Sequence, residues 1–569
     1  MTRWLLAAAL PAFASILAAC GSPATTQRSD AASFPRISGR AVIGHVKVLA
    51  SDEYEGRAPG TKGEELTVAY VTGQFKKAGI QPGNPDGTYT QQVPLVAITP
   101  DPGAVLTFKK GSKERRLTFR DDMVAWTKRM QETVGIDKSE VVFVGYGVQA
   151  PEFNWDDYKG IDLKGKTLLV LVGDPPVPDP ANPAELDPKV FGGRALTYYG
   201  RWTYKYEMGQ KMGAAGVLIV HEPRPAGYPW AVVQSKCGEQ CDLVAPDRNM
   251  TRLPIEGWIT LEQAKKLCAM AGQDYDALKQ RALTREFEPV PLGVTASLTL
   301  HNHIRTFQSQ NVIGKVEGSD PVLKNEYVLY AAHWDHFGIG APVNGDRIYH
   351  GAIDNATGVG ALIEIGRAFA AMPVRPKRTI LLMAPTAEEA YVMGSTYYTL
   401  NPLYPLARTL GVITMDILNV HGRTKDIVIT GPGQSDLDDY AREVAATQGR
   451  IVRPDPAPEG GFYYRSDHFP FAKRGVPGLW SWGGTNYVGK PPEWGQQVRA
   501  AYDQDDYHHP SDVVHPDWDP SGLAEDAQYY WMLGDKIAQA DRYPQWKPGA
   551  EFKAIRDAQL KAVGGDGRL

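Results

Sequence analysis

Three apolar runs that each close on a chemically capable residue constrain this fold most. Tyr327 to Ala332 leads into His333, Thr379 to Ala384 leads toward Glu388 and Glu389, and Leu410 to Met415 leads into Asp416. Runs of this length, punctuated by Gly/Pro and by helical patterns, predict parallel strands of an α/β sheet. Ligands in open α/β sheets gather outside the strand carboxyl ends, so the residues closing these runs are expected around one crevice. Asp354, in GAIDNATG, belongs with them. Behind it Val359, Leu362, Ile363, Gly366 and Phe369 fall at helical spacing, which puts Asp354 in a loop just before a helix.

Imidazole plus carboxylate is the ligand chemistry of zinc. His333, Asp354, Asp416, His508 and one of the pair Glu388 and Glu389, with a carboxylate to spare, exceed what one catalytic ion requires and point to two Zn2+ sharing a bridging Asp, a role the loop position of Asp354 suits. Adjacent side chains cannot comfortably face the same ion. One Glu of the pair is therefore expected to ligate while its neighbour faces water as a general base. Asp335, two residues after His333, and Asp512, four after His508, are candidates to receive the second ring N–H of a ligating histidine. His509 leaves the register of the last ligand open by one residue.

The segments HWD, GAIDNATG, the Glu-Glu pair, the strand-end Asp and YHHPSD resemble, in order and gaps, the M28 family of dizinc metallopeptidases. The resemblance implies an α/β zinc-exopeptidase fold, a mixed and mostly parallel sheet flanked by helices. It implies one ion on Asp354, Glu389 and His508, the other on His333, Asp354 and Asp416, and Glu388 as the base. Its Tyr-His-x-Pro-x-Asp pattern selects His508 over His509. The stretch Phe462 to His468 resembles the family's Ser-Asp-His segment, and Tyr463 stands where some members place a Tyr that stabilises the tetrahedral intermediate. With 27 tyrosines in the chain, a packing role for Tyr463 is equally open. Ser466, Asp467 and His468 are consecutive, which excludes the geometry of a serine triad.

The activity implied is that of an aminopeptidase acting on short peptides. Three relatives of other classes stay open: a glutaminyl cyclase working with one zinc, a glutamate carboxypeptidase-like hydrolase, and a non-catalytic receptor-like protein. The second needs a cationic patch for a substrate carboxylate, for which Arg465 is the visible candidate. The third normally loses metal ligands. Phe462, Tyr464, Trp480 and Trp482 are candidates for an apolar specificity pocket.

Residues 1–19 read as a lipoprotein leader ending at Leu17-Ala18-Ala19-Cys20, with Cys20 as the acylated residue, and 20–36 as a flexible tether. Export to the bacterial cell envelope with a lipid anchor follows as the expectation. The catalytic domain is expected over 37–129 and 296–545. Between them, VVFVGYG, DLKGKTLLVLVGD and GAAGVLIV resemble a protease-associated domain inserted over 130–295. The polar stretch 546–569 is expected to be a peripheral tail. A net charge of −4 gives no basic footprint for nucleic acid. Cys237 and Cys241 are close enough in sequence to form a small-loop disulfide in an oxidising compartment.

Overall fold

A computed structural model describes residues 35–562 apart from Lys236 and Pro432. The leader, Cys20, nearly all of the tether and residues 563–569 lie outside the described residues. From Arg36 onward the chain is one compact unit. No helix among the described residues is long and apolar enough to cross a membrane.

Strands β1 (Thr90–Pro100), β2 (Val290–Val316), β3 (Tyr327–Ala331), β4 (Thr379–Ala384), β5 (Thr409–Thr414) and β6 (Gly478–Gly483) lie in the order β1-β2-β4-β3-β5-β6. The last four run parallel, and β2 joins antiparallel to both β1 and β4, which makes the sheet mixed. Alternation in β3 shows why these runs are apolar throughout. Val328 and Tyr330 face one core, while Leu329 and Ala331 face another with Ile313, Leu381, Val412 and Phe471. Both faces are covered, so both sets of positions are apolar.

Helices α1 (Gly39–Leu49), α2 (Lys62–Lys77), α3 (Thr357–Ala370) and α4 (Pro520–Gln539) contribute to the first of these cores. Ser38 caps α1 by accepting from the Ala41 N–H, and Asp519 caps α4 through the Ser521 N–H. Helix α3 packs against both α1 and α4 and buries Val359, Leu362, Ile363 and Phe369, each worth roughly 1.5–3 kcal/mol.

A further core is built from residues 106–300, around parallel strands over 133–143, 167–171, 216–221 and 255–260. Two boundaries expected from the sequence are displaced. This core takes in Leu106, Phe108, Leu117 and Trp126, all before residue 130, because the hairpin 105–118 pairs with β2. The boundary at 295 falls inside β2, whose residues 290–301 pair in the β-rich part and whose residues 302–312 pair with β1. One continuous strand thus serves both cores.

The C-terminal stretch is also not peripheral. Trp546, Phe552, Arg556 and Leu560 are buried, and α5 (Lys553–Ala562) seats Arg556 on the carbonyls of Leu406 and Thr409. Its polar composition hides an amphipathic helix that turns Arg556 and Leu560 inward and leaves Ile555 exposed. Cys237, Cys241 and Cys268 are free thiols.

Candidate metal centre

Each strand-end residue reaches the crevice by a different local device. His333 is the second residue after β3, and its Nδ1 lies 3.2 Å from the Asp335 carbonyl, which leaves Nε2 for the crevice. Asp354 precedes α3, and Asn355 ties that loop to the next strand end by donating to the Met415 carbonyl (3.0 Å). Gly358 permits this approach, since a Cβ there would stand 2.3 Å from Asn355 Oδ1 and 2.6 Å from the Met415 carbonyl. The Asp354–Asn355 peptide is cis.

The Glu pair lies in a turn where Ala387, Tyr391 and Val392 all have positive φ. Ile417, after Asp416, and His508 itself share that left-handed conformation. For side chains of these kinds it costs of order 1–3 kcal/mol each, and such strain concentrates at functional sites.

The spacings divide the donors into two sets. His333 Nε2 lies 3.3 Å from Asp354 Oδ1 and 3.5 Å from Asp416 Oδ1. His508 Nε2 lies 3.3 Å from Asp354 Oδ2 and 3.3 Å from Glu389 Oε2. Ligands held tetrahedrally at about 2.0–2.1 Å from zinc stand about 3.3–3.4 Å from one another. Asp354 therefore offers one oxygen to each set, as a bridging ligand must. Glu388 ligates neither set at these spacings; its Oε2 is 3.8 Å from His333 Nε2.

Charge makes the same demand. Asp335, Asp354, Asp416, Asp467 and Asp512 are buried, Glu388 and Glu389 nearly so, and opposing them are three histidines and Arg57. Burial lowers the pKa of His333, but Glu388, Asp354 and Asp416 more than reverse this and leave it well above its usual value. His508 behaves likewise: Glu389 and Asp354 outweigh burial and carry it to about 9. A carboxylate excess this large in a desolvated crevice calls for cations, and the donor set fits two of them.

The supporting residues depart from expectation in instructive ways. The Asp335 carboxylate accepts the backbone N–H groups of Glu388 (3.0 Å) and Glu389 (3.3 Å), so it fixes the Glu pair, while its carbonyl meets His333. Asp512 does not orient His508; it accepts the N–H groups of Ile353 (2.9 Å) and Asp354 (3.0 Å). Tyr463 is a correction. It is buried, its hydroxyl donates to the Gly478 carbonyl (3.3 Å) and its ring packs on His468, a packing role that leaves no free phenol for an oxyanion. Ser466 donates to Asp416 Oδ2 (2.7 Å), which leaves Oδ1 for the His333 side. His509 is in neither set. Its N–H closes a turn on the Asp506 carbonyl.

Sequence reasoning missed Arg57 and His336 as well as the Asn355 tie. Arg57 is fully buried and donates to the carbonyls of Leu49, Trp334, His350 and Gly351, pinning the His333 and Asp354 loops together. His336 lies with Asp354 and Glu389. The motif HWDH displayed it, but its neighbour His333 absorbed the reading.

Two features flank the crevice. A small pocket is lined by Ile353, Ile417, Trp482, Tyr487, Val498 and Tyr502, of which the first two adjoin Asp354 and Asp416 in sequence. Of the four aromatic candidates only Trp482 lines it; Tyr464 donates to Glu551, Trp480 to the Asp416 carbonyl, and Phe462 stacks under Arg465. On another side Arg201, from the β-rich part, comes close enough to Arg465 for the two charges to oppose each other. Burial first and Arg465 second lower Arg201 to about 9. Among the described residues its Nε has no hydrogen-bond partner, and Arg465 meets the Gly460 carbonyl and the Phe462 ring.

Residues 311–532, which hold every member of the cluster, match Peptidase family M28. Aminopeptidase NAALADL1 of Mus musculus is 31% identical over 203 residues, 33% of this chain and 26% of that protein. The probable glutamate carboxypeptidase AMP1 of Arabidopsis thaliana is 24% identical over 406 residues, covering 66% of this chain and 49% of its own length. The chain thus spans between a quarter and a half of these curated relatives. Among solved structures, the aminopeptidase from Aneurinibacillus sp. strain AM-1 aligns with 91% of this chain and 96% of its own at a TM-score of 0.47 and 17% identity.

Proposed function

We propose that this chain is a two-zinc exopeptidase of the M28 type, an aminopeptidase that removes N-terminal residues from short peptides. The observation that carries the reading is the split of Asp354, with Oδ1 in the His333 and Asp416 set and Oδ2 in the His508 and Glu389 set. Two zinc ions held by these residues would supply Lewis acidity for the scissile carbonyl and would acidify a water. Glu388, excluded from both donor sets yet beside them, takes that water's proton and returns it to the leaving amine. Asp335 holds Glu388 in place through its backbone N–H. The pocket lined by Trp482, Ile353 and Ile417 suits an apolar side chain next to the scissile bond.

One observation favours a second reading, in which a substrate carboxylate is recognised as in a glutamate carboxypeptidase. Arg201 and Arg465 are two guanidiniums near enough to oppose each other and without a carboxylate partner among the described residues, an arrangement that an anionic substrate group would satisfy. The β-rich part that contributes Arg201 we read as a protease-associated domain, and Cys20 as a lipid anchor at the bacterial cell envelope.

A panel of matched peptides blocked at the amino or the carboxyl end, assayed with and without chelator, tests both. Chelator-sensitive release from peptides with a free amine, and none from N-acetylated ones, is the expected result. Cleavage of N-acetylated peptides overturns the aminopeptidase reading. If the arginine pair binds the far carboxylate, C-terminal amidation lowers kcat/KM about ten- to hundredfold, the worth of a charged hydrogen bond.

A further inference from the structure

We propose that His336 is the positioning residue of Glu389: its Nδ1–H holds one carboxylate oxygen so that the other is presented to the ion shared with Asp354 and His508. The inference rests on the two-metal reading above. Its starting point is a difference in spacing. Four donor pairs in the crevice stand 3.3–3.5 Å apart, the separation of neighbouring ligands on a tetrahedral ion. His336 Nδ1 stands 2.7 Å from Glu389 Oε1, too short for such an edge and at the distance, though not yet the direction, of a charge-assisted N–H···O bond. The two oxygens of Glu389 are thereby assigned. Oε2 belongs to the ligand side, 3.3 Å from His508 Nε2, and Oε1 to His336.

The surroundings of the imidazole fit this role. His336 is 1% exposed. Its ring lies against Gly351, where a Cβ would come within 2.6 Å of Cγ, and beside Phe337 and His508, with ring centroids 4.9 and 6.0 Å away. Gly351 thus makes the room that a side chain would fill. Neither ring nitrogen has a well-directed hydrogen bond as the ring stands, and Oε1 is the acceptor within reach of Nδ1. A buried imidazole needs a hydrogen-bond partner, and Oε1 stands within hydrogen-bond distance of Nδ1. Asp416 has the same kind of support on the other side, where Ser466 occupies Oδ2. Each terminal carboxylate ligand then has one oxygen engaged by a neighbour and one free for its ion.

Metal titration of the full-length apoprotein with Co2+, followed by visible absorption and by bound-metal analysis, tests the assignment. Wild type is expected to bind two ions. In His336→Ala one of the two should weaken about ten- to hundredfold, as for loss of a supporting partner, while the other stays within about threefold. His336→Asn puts an amide nitrogen where Nδ1 stood and should restore most of the lost affinity and the Co2+ spectrum. His336→Gln, whose nitrogen reaches toward the Nε2 position, should not. Two ions bound as tightly by His336→Ala as by wild type would overturn the proposal, and so would an Asn variant as weak as Ala or a Gln variant as good as Asn. If His336→Ala does not fold, the Asn and Gln variants decide. Wild type binding fewer than two ions overturns the two-metal reading and this inference together; an unchanged His336→Ala overturns this inference alone.

Discussion

Glu388 and Glu389 are neighbours with the same functional group, and only their settings separate them. Glu389 faces His508 and His336, while Glu388 stands 3.8 Å from His333 and completes no ligand set. Glu388→Gln should therefore keep both ions and lose about two to four decades of kcat, the scale of a general base. Glu389→Gln should lose affinity for one ion. Bound-metal analysis of the two purified variants checks the pair, and the reverse pattern would exchange their roles. Much of this was legible in the sequence because ligands are few, chemically distinctive and anchored at strand ends. The choice between packing and catalysis at Tyr463 was not legible, because a motif position does not report where a side chain points, and its hydroxyl donates to Gly478. Arg57 and Asn355 were illegible for a related reason: both act on backbone carbonyls, and carbonyls carry no residue identity.

At the scale of elements, the runs 327–332 and 379–384 matched strands almost to the residue, since strands buried on both faces are apolar at every position. The packing of helices on them was not visible in advance. Helix α4 crosses β3 where Gly534 meets Tyr330, whose hydroxyl donates to the Tyr530 carbonyl (2.8 Å). A Cβ on Gly534 would fall 1.7 Å from that oxygen, with Tyr330 fully buried and unable to withdraw. Gly534→Ala gains helix propensity of about 1 kcal/mol and loses more to overpacking and the broken hydrogen bond. A net destabilisation of about 2 kcal/mol is expected, read as a lowered denaturant midpoint. Because His333 follows β3 by two residues, weaker metal retention should accompany it. A variant as stable as wild type would mean that α4 shifts freely on the sheet.

Across the whole molecule, the β-rich core and the cores flanking the main sheet are joined by features that no local pattern announces. Strand β2 runs through both, and the stretch after Trp546 seats Phe552 in the β-rich core and Leu560 in the core behind the sheet. Glu551 lies at this junction, accepting the Tyr464 hydroxyl (3.1 Å) and the Tyr198 N–H (3.1 Å). Burial pushes its carboxyl up to about 8, with Asp174 and Glu152 adding to the rise and the two donors opposing it. The sign of the consequence follows from proton counting. Between the ordinary glutamate value of 4.5 and about 8 the folded chain holds a proton on Glu551 that the unfolded chain has released. Folding takes up a proton in that window, so this group's contribution to stability is greatest below 4.5, declines as pH rises and is fully lost above about 8. Glu551→Gln keeps a neutral, hydrogen-bonding side chain at every pH. Relative to wild type the variant should therefore gain stability steadily from pH 5 to pH 8, by a few degrees in thermal midpoint, and show no gain at pH 4.5. Thermal unfolding of both proteins across that range measures the difference, and parallel curves would mean that Glu551 titrates at its ordinary value and that the junction is open to water.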